Sequence, residues 1–156
     1  MNHNINPFLF DSDFKSEEMF LVIPGNPVGK GRPRVTTRGG FARAYTPRRT
    51  ADYESSIVGA YNAQIASKYK LSGPIEANIK AFFKLPSSIS KKEKNLLLSN
   101  TIKHTHKPDI DNIEKSVLDA LNGYAYEDDS QIVKLSAEKF YSENPRVELY
   151  MKEYRS

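Results

Sequence analysis

The chain of 156 residues contains no cysteine. This absence excludes disulfide bonds and thiolate metal sites, so any metal ion must be held by oxygen or imidazole ligands. No apolar run approaches the roughly 20 residues of a membrane-spanning helix, so we expect no membrane partner. The N-terminus also lacks the basic-then-apolar pattern of a secretion signal, which predicts a cytoplasmic protein.

Residues 28–49 contain no acidic residue, and the whole chain has a net charge of +4. Glycines and prolines interrupt this basic segment, so it is predicted to form a loop or a loosely paired hairpin. Arginine predominates in it and favours phosphate contacts, because a guanidinium group offers a planar fork of donors. With Lys107 from a second basic stretch, the predicted DNA-binding residues are Lys30, Arg32, Arg34, Arg38, Arg43, Arg48 and Arg49. A solvated, flexible surface loop is the alternative interpretation.

Residues 25–31 read GNPVGKG and superficially resemble a phosphate-binding P-loop. The stretch is one residue too short and has no serine or threonine after Lys30. It therefore predicts no nucleotide cofactor, and a polyanion such as DNA is the better partner for the basic segment.

Strands are predicted where apolar and polar residues alternate or where β-branched residues cluster. Residues 19–24 and residues 75–85 fit these patterns. Residues 131–140 and 146–154 also alternate, and the SENP sequence between them predicts a C-terminal antiparallel hairpin.

Two helices are predicted by capping patterns followed by apolar residues. Thr46 as the cap and Pro47 at the first helical position begin a helix that runs to about Tyr69. Ser90 and Glu93 match a capping box before a short second helix.

A third predicted helix begins at Asp111, which forms a capping-box pattern with Glu114, and ends before Gly123. Asp111, Lys115 and Asp119 recur every four residues along one face. The apolar stripe on another face consists of Ile113, Val117, Ala120 and Leu121.

These elements predict one α+β domain over residues 19–156, with helices packed on a mixed or antiparallel sheet. Residues 1–18 are predicted to form a flexible tail. A chain of this length has a small core, and its alternating strands leave apolar faces that a second copy would cover. Pairing with a second copy would therefore help to stabilise the domain.

Two pairs of aspartates flank the third helix. Asp109 and Asp111 stand at its start, and Asp128 and Asp129 follow its end. The helix would be roughly 18 Å long. The extended chain from residue 123 to residue 129 would cover roughly 20 Å, so the two pairs can meet at the start of the helix. Carboxylates held close together favour a cation between them, and oxygen ligands favour Mg²⁺, with Mn²⁺ as a substitute.

The same aspartates also have ordinary structural explanations. Asp111 suits a helix cap and complements the helix dipole, whereas Asp128 and Asp129 suit a polar turn before a strand. His104 and His106 have no third ligand nearby in sequence, so we interpret them as part of the basic surface.

The stretch KPDIDNIEKSVLDALNGYAYEDDSQIV closely resembles the signature of the RusA-type Holliday junction resolvases, which are often carried by prophages. The shared features are an Asp-x-Asp-Asn start, a lysine four residues on, an Asp-Ala-Leu helix end and paired aspartates before a Gln-Val/Ile strand. The upstream GRPRVTTRGGFARAYTP is similar to the longer bacterial and phage members. The resemblance covers residues 20–154, while the tail and residues 90–99 have no counterpart in the shortest members.

This resemblance implies a homodimeric, magnesium-dependent endonuclease that cuts four-way DNA junctions in recombination and repair. Carried over by position, Asp109, Asp111 and Asp129 would bind the metal and serve catalysis, with Lys115 as the essential basic partner. Asp128 matches the neighbouring acidic position as a further metal ligand.

Two other functions stay open on the residues alone. The chain could be a non-catalytic basic module that binds nucleic acid, with its aspartates as caps and surface charge. It could also be a metal-dependent nuclease for other branched DNA or for RNA. Lys115 has two interpretations as well: it stabilises negative charge on a reacting phosphate, or it forms an ordinary ion pair with Asp111.

Overall fold

The computed structural model describes residues 17–65 and 70–154. Its strands are β1 (Glu18–Pro24), β2 (Arg34–Thr36), β3 (Arg43–Tyr45), β4 (Ile75–Lys84), β5 (Ile132–Ser142) and β6 (Arg146–Glu153). Its helices are α1 (Arg48–Gln64), α2 (Lys91–Leu98) and α3 (Ile110–Leu121), and a 3₁₀ turn at Asp129–Gln131 precedes β5. No helix within these ranges is long and apolar enough to span a membrane.

The predicted boundary of the tail, after Glu18, falls inside the first strand. Glu18, the last residue of that tail, pairs with Lys152 in the sheet. Residues 1–16 lie outside the described residues, so the tail itself stays a prediction.

The main sheet has four strands in the order β1-β6-β4-β5. β6 is antiparallel to both β1 and β4, whereas β5 is parallel to β4. The predicted hairpin of β5 and β6 is therefore wrong, because β4 lies between these two strands. Alternation indicates which face a side chain points to, but it does not identify the neighbouring strand. The predicted class is confirmed, since the described residues form a small α+β domain with a mixed sheet.

The core lies between the sheet and the helices α1 and α3. Tyr53, Ile57 and Tyr61 of α1 are buried, as their spacing predicts. The predicted apolar stripe of α3 is also confirmed, and its Val117 is fully buried. Burying an aliphatic side chain of this size contributes roughly 1.5–3 kcal/mol, so this stripe fixes α3 firmly on the domain.

Helix α1 starts one residue later than predicted. Pro47 has an extended backbone (φ −54°, ψ 140°), and its carbonyl accepts the first helical hydrogen bond, from the Ala51 N–H at 3.1 Å. Pro47 therefore occupies the cap position that the sequence assigns to Thr46. The helix ends at Gln64 rather than near Tyr69, and residues 66–69 lie outside the described residues.

Helix α2 begins as predicted, because the Ser90 hydroxyl accepts the Glu93 N–H at 3.1 Å. Helix α3 ends as predicted before Gly123, whose φ of +81° favours glycine. The basic segment confirms the predicted loosely paired hairpin, since β2 and β3 pair antiparallel through three residue pairs.

Candidate active site

The start of α3 is held by two lysines. Asp109 occupies the cap position but makes no capping hydrogen bond. Instead, the Lys107 ammonium donates to both oxygens of the Asp109 carboxylate, at 2.6 and 2.7 Å. Lys139 of β5 donates to the backbone carbonyls of His106 (2.6 Å) and Pro108 (2.9 Å). Burial lowers the pKa of Lys139, and the nearby Asp109 charge only partly opposes this effect.

Asp111 lies in the first turn of α3 and is not its cap, so the predicted capping box is wrong. The helix begins earlier, at Ile110, because Asp109 takes the cap position. Lys115 lies one turn on, with its Nζ 3.9 Å from the Asp111 carboxylate, and both side chains are more than half exposed. An exposed pair of this kind contributes about 0.3–0.5 kcal/mol, so both side chains remain available to a substrate. Burial, and then the charge of Asp111, raise the pKa of Glu114.

Asp129 begins the 3₁₀ turn before β5, and Asp128 is the cap of this turn. Asp128 takes part in a capping box with Gln131, whose Oε1 accepts the Asp128 N–H at 3.1 Å. A hydrogen bond from the Ser130 hydroxyl is the main reason why the pKa of Asp128 is lowered. The predicted polar turn is thus present at these two residues.

The second aspartate pair lies beside the C-terminal half of α3. The Tyr126 hydroxyl donates to the carbonyl of Leu118 in that half. Burial raises the pKa of Tyr126, and the next contribution comes from the charge of Asp129. Asp109, by contrast, lies beside Lys139 at the other end of α3, and β5 rises about 23 Å between Ile132 and Lys139.

The chain after α3 turns tightly and does not run back in extended form. The Gly123 N–H donates to the Tyr126 carbonyl at 2.9 Å, and Asn122 and Tyr126 form an isolated bridge. Within residues 17–65 and 70–154, no three His, Cys, Asp or Glu side chains are grouped to hold a metal ion. The metal roles of Asp109, Asp111, Asp128 and Asp129 stay a prediction, with the two pairs at different ends of the helix.

The basic segment is anchored between α1 and α3 by its backbone. The Ser116 hydroxyl donates to the Val28 carbonyl at 2.7 Å, and the Gly31 N–H donates to the Thr50 hydroxyl at 2.9 Å. A Cβ atom at Gly29 would lie 2.6 Å from the Cβ atom of Pro108, so only glycine permits this approach.

Lys30 connects the anchored segment to both helices. Its Nζ lies 2.6 Å from Asp119 of α3 and 3.0 Å from Glu54 of α1. Burial lowers the pKa of Lys30, but the hydrogen bonds and charges of Asp119 and Glu54 outweigh this effect and raise it. Lys30, predicted as a DNA contact, therefore has its charge neutralised within the chain.

A cleft of about 560 Å³ lies between the anchored segment, the start of α1 and the two residues before Asp109. Its lining includes the cations Arg32, Arg34, Arg49 and Lys107. Four of the eight predicted DNA-binding residues thus line one cleft, and Lys107 among them contacts Asp109. Arg38 and Arg43 lie on the β2–β3 hairpin, and Arg48 is almost fully exposed at the start of α1.

Near the start of α3, Lys139 has a role that the sequence did not predict, and the interpretation of His104 as part of the basic surface is wrong. Lys139 is a lysine at an inward register position of β5, and this position is its one detectable signal. His104 stacks on Phe83 with ring centroids 3.8 Å apart. Burial, followed by the charges of Lys139 and His106, lowers the pKa of His104 to about 4, so it is neutral near pH 7. It is therefore a packing residue and does not contribute a positive charge to the basic surface.

The sequence of this chain matches the family model described as endodeoxyribonuclease RusA over residues 24–152. The chain belongs to the RusA family. It is also similar to a Bacillus subtilis (strain 168) protein named "Uncharacterized protein YqaN", with 38% identity over 139 residues. That alignment covers 85% of this chain and 94% of the relative. RusA membership implies an endonuclease for Holliday junctions, and it confirms the resemblance found around α3.

Proposed function

We propose that the protein is a Mg²⁺-dependent endonuclease that resolves four-way DNA junctions as a symmetric homodimer. RusA membership supports the cleavage of DNA. The observation that carries the proposal is the position of Asp109 and Asp111 at the start of α3, beside the arginine-lined cleft. Lys107 lines this cleft and contacts Asp109, so a phosphate bound there lies next to the carboxylates. We expect the protein to act on cytoplasmic DNA.

The donor set suits Mg²⁺, because carboxylate oxygens are its preferred protein ligands. One chain offers Asp109 and Asp111 at this end of α3, and we assign the third carboxylate to Asp129 of the partner subunit. A bound Mg²⁺ would neutralise phosphate charge and lower the pKa of a coordinated water. Asp128, with its carboxylate engaged by Ser130, would orient the turn that carries Asp129.

The outer edge of β5 is the surface we assign to the dimer. β5 ends the sheet, and its Val133 and Leu135 are 58% and 38% exposed. An open strand edge with apolar side chains favours pairing with another chain. Two copies of β5 related by a two-fold axis would pair antiparallel.

The spacing of residues along β5 favours an axis near Lys134. Asp129 and Lys139 lie five positions before and after Lys134. Because the 3₁₀ turn that carries Asp129 directly precedes β5, such an axis would bring the turn of the partner subunit toward Lys139, which lies beside Asp109. The two aspartate pairs lie at different ends of α3 within one chain, and in such a dimer they would meet across two chains.

The remaining side chains of the site would act on the substrate directly. Arg32, Arg34 and Arg49 would bind phosphates on either side of the cleaved one, without reading base sequence. Lys115, more than half exposed one turn from Asp111, would stabilise the negative charge that develops on the reacting phosphate. Lys107 would exchange its contact with Asp109 for a phosphate when DNA binds.

The test is cleavage of a labelled four-way junction, a duplex and a single strand, each with Mg²⁺ and with EDTA. We expect paired cuts in the junction with Mg²⁺ alone. Binding without any cleavage would favour the non-catalytic module, and equal cleavage of all three substrates would favour a general nuclease. Light scattering should report about twice the monomer mass.

A further inference from the structure

The tip of the β2–β3 hairpin carries an exposed aromatic side chain. Phe41 lies in the turn between Thr36 and Arg43 and is 74% exposed, the largest value for any large apolar side chain in the described residues. A single exposed apolar side chain is ordinary on a protein surface. The surroundings of Phe41 are what distinguish it.

The turn around Phe41 is exposed to solvent and is flanked by basic residues. Gly39 and Gly40 have φ values of +90° and +84°, and a Cβ atom added to either would have no heavy atom within 4 Å. The space next to both glycines is therefore open, and the Phe41 side chain beside them is largely exposed to solvent. Arg38 and Arg43 flank the aromatic ring in sequence, in a segment without any acidic residue. An apolar ring between cations suits a partner with flat apolar faces and anionic edges, which is the chemistry of stacked bases and phosphates.

We propose that Phe41 is a wedge that inserts between unstacked bases at the branch point of a DNA junction. This inference rests on the proposed junction cleavage and adds a residue that distinguishes branched DNA from duplex. An apolar side chain that enters a continuous duplex must first unstack a base step. In the open form of a four-way junction, stacking between the arms is interrupted at the branch point, so insertion costs less there. The arginines bind phosphates of either substrate, whereas Phe41 favours the branched one.

The hairpin places this wedge within reach of the candidate active site. Its base is Arg34, which lines the cleft together with Lys107. The strand rises about 7 Å from Arg34 to Thr36, and the turn that carries Phe41 extends beyond this point. Successive phosphates of one strand rise about 3.4 Å along duplex DNA, so the tip reaches bases at least about two nucleotides from a phosphate in the cleft. A branch point and a cut site can thus be engaged by one protomer.

The experiment uses the full-length protein and a four-way junction with 2-aminopurine at the branch point, in EDTA to prevent cleavage. The emission of 2-aminopurine rises when the base loses its stacking. We expect the wild type to raise this emission and Phe41→Ala to abolish the rise. The same substitution should weaken junction binding about tenfold or more while duplex binding changes less than about twofold. Phe41→Trp should preserve both the emission rise and the junction affinity, because indole also stacks.

The matched control is Val35→Ala, which removes another exposed apolar side chain (68%) from the same hairpin but away from its tip. We expect this control to match the wild type. The wedge is overturned if Phe41→Ala keeps the emission rise, weakens junction and duplex binding equally, or converts the dimer to a monomer. A wild type that cuts junctions without an emission rise also overturns the wedge alone. A wild type that binds no junction overturns the proposed function and the wedge together.

Discussion

Mixing two inactive variants tests whether the active site is shared between protomers. Asp111→Asn removes a carboxylate at the start of α3, and Asp129→Asn removes one beside its other end. In the proposed dimer each site combines Asp111 of one chain with Asp129 of its partner. Each variant alone should therefore lose junction cleavage while it still binds DNA, since the substitution removes negative charge near phosphates.

A mixed dimer of these two variants has one intact site and one site that lacks both carboxylates. Random exchange of subunits makes about half of the dimers mixed, so about a quarter of the wild-type number of sites is intact. Cleavage of labelled junctions should recover to about a quarter of the wild-type rate, with single nicks instead of paired cuts. If each chain formed its own site, every site would lack one carboxylate and nothing would recover.

The control mixes Asp109→Asn with Asp111→Asn, because both substitutions fall at the same end of α3. No site in such a mixed dimer is intact in the shared arrangement, so no rescue is expected. Two affinity tags of different kinds verify that mixed dimers form. Absence of rescue for Asp111→Asn with Asp129→Asn, in verified mixed dimers, would refute the shared site.

The dimer axis, the metal requirement and the arginine-lined cleft can each be tested separately. Lys134→Cys should cross-link two chains under mild oxidation, because a residue near the two-fold axis meets its own copy. Lys80→Cys, on the open face of the sheet, should not form this cross-link. Non-reducing electrophoresis compares the two variants, in a chain that has no other cysteine. Mn²⁺ should support cleavage, whereas Ca²⁺ should support DNA binding without cleavage, because Ca²⁺ is larger and accepts looser geometry. Full cleavage in EDTA would contradict any metal requirement. Neutralising Arg32, Arg34 and Arg38 together should weaken binding to junction and duplex alike, and it should flatten the dependence of affinity on salt concentration. An unchanged slope of affinity against salt would show that this surface faces away from DNA.

The elements of the fold were predictable from sequence because each is specified by local pattern. The alternation in β4 and the spacing of Tyr53 and Ile57 in α1 reflect contacts with a single apolar interior. The order of the strands was not predictable in the same way. β5 and β6 have turn residues between them, yet both pair with β4, because the helices α2 and α3 carry the chain across the sheet before β5 begins. That arrangement depends on long-range packing.

The candidate site was predictable in its residue types but not in their distribution. The motif around α3 identifies the aspartates, and a length estimate allows them to meet. The estimate assumes an extended return, which burial of Tyr126 prevents: its hydroxyl bonds to the Leu118 carbonyl and holds the chain against α3. Tyr126 carries no pattern that distinguishes it from a loop residue, so its role becomes visible only when the core is assembled.

The basic residues show why a charge count overstates a binding surface. Lys30 and Arg32 are two positions apart in one unopposed basic segment, and sequence alone gives them the same role. The fold separates them, because Lys30 meets Glu54 and Asp119, which come from helices distant in sequence. Arg32 faces the open cleft instead. One cation of the segment is therefore paired within the domain, whereas Arg32 lines an open cleft together with Lys107, which contacts Asp109.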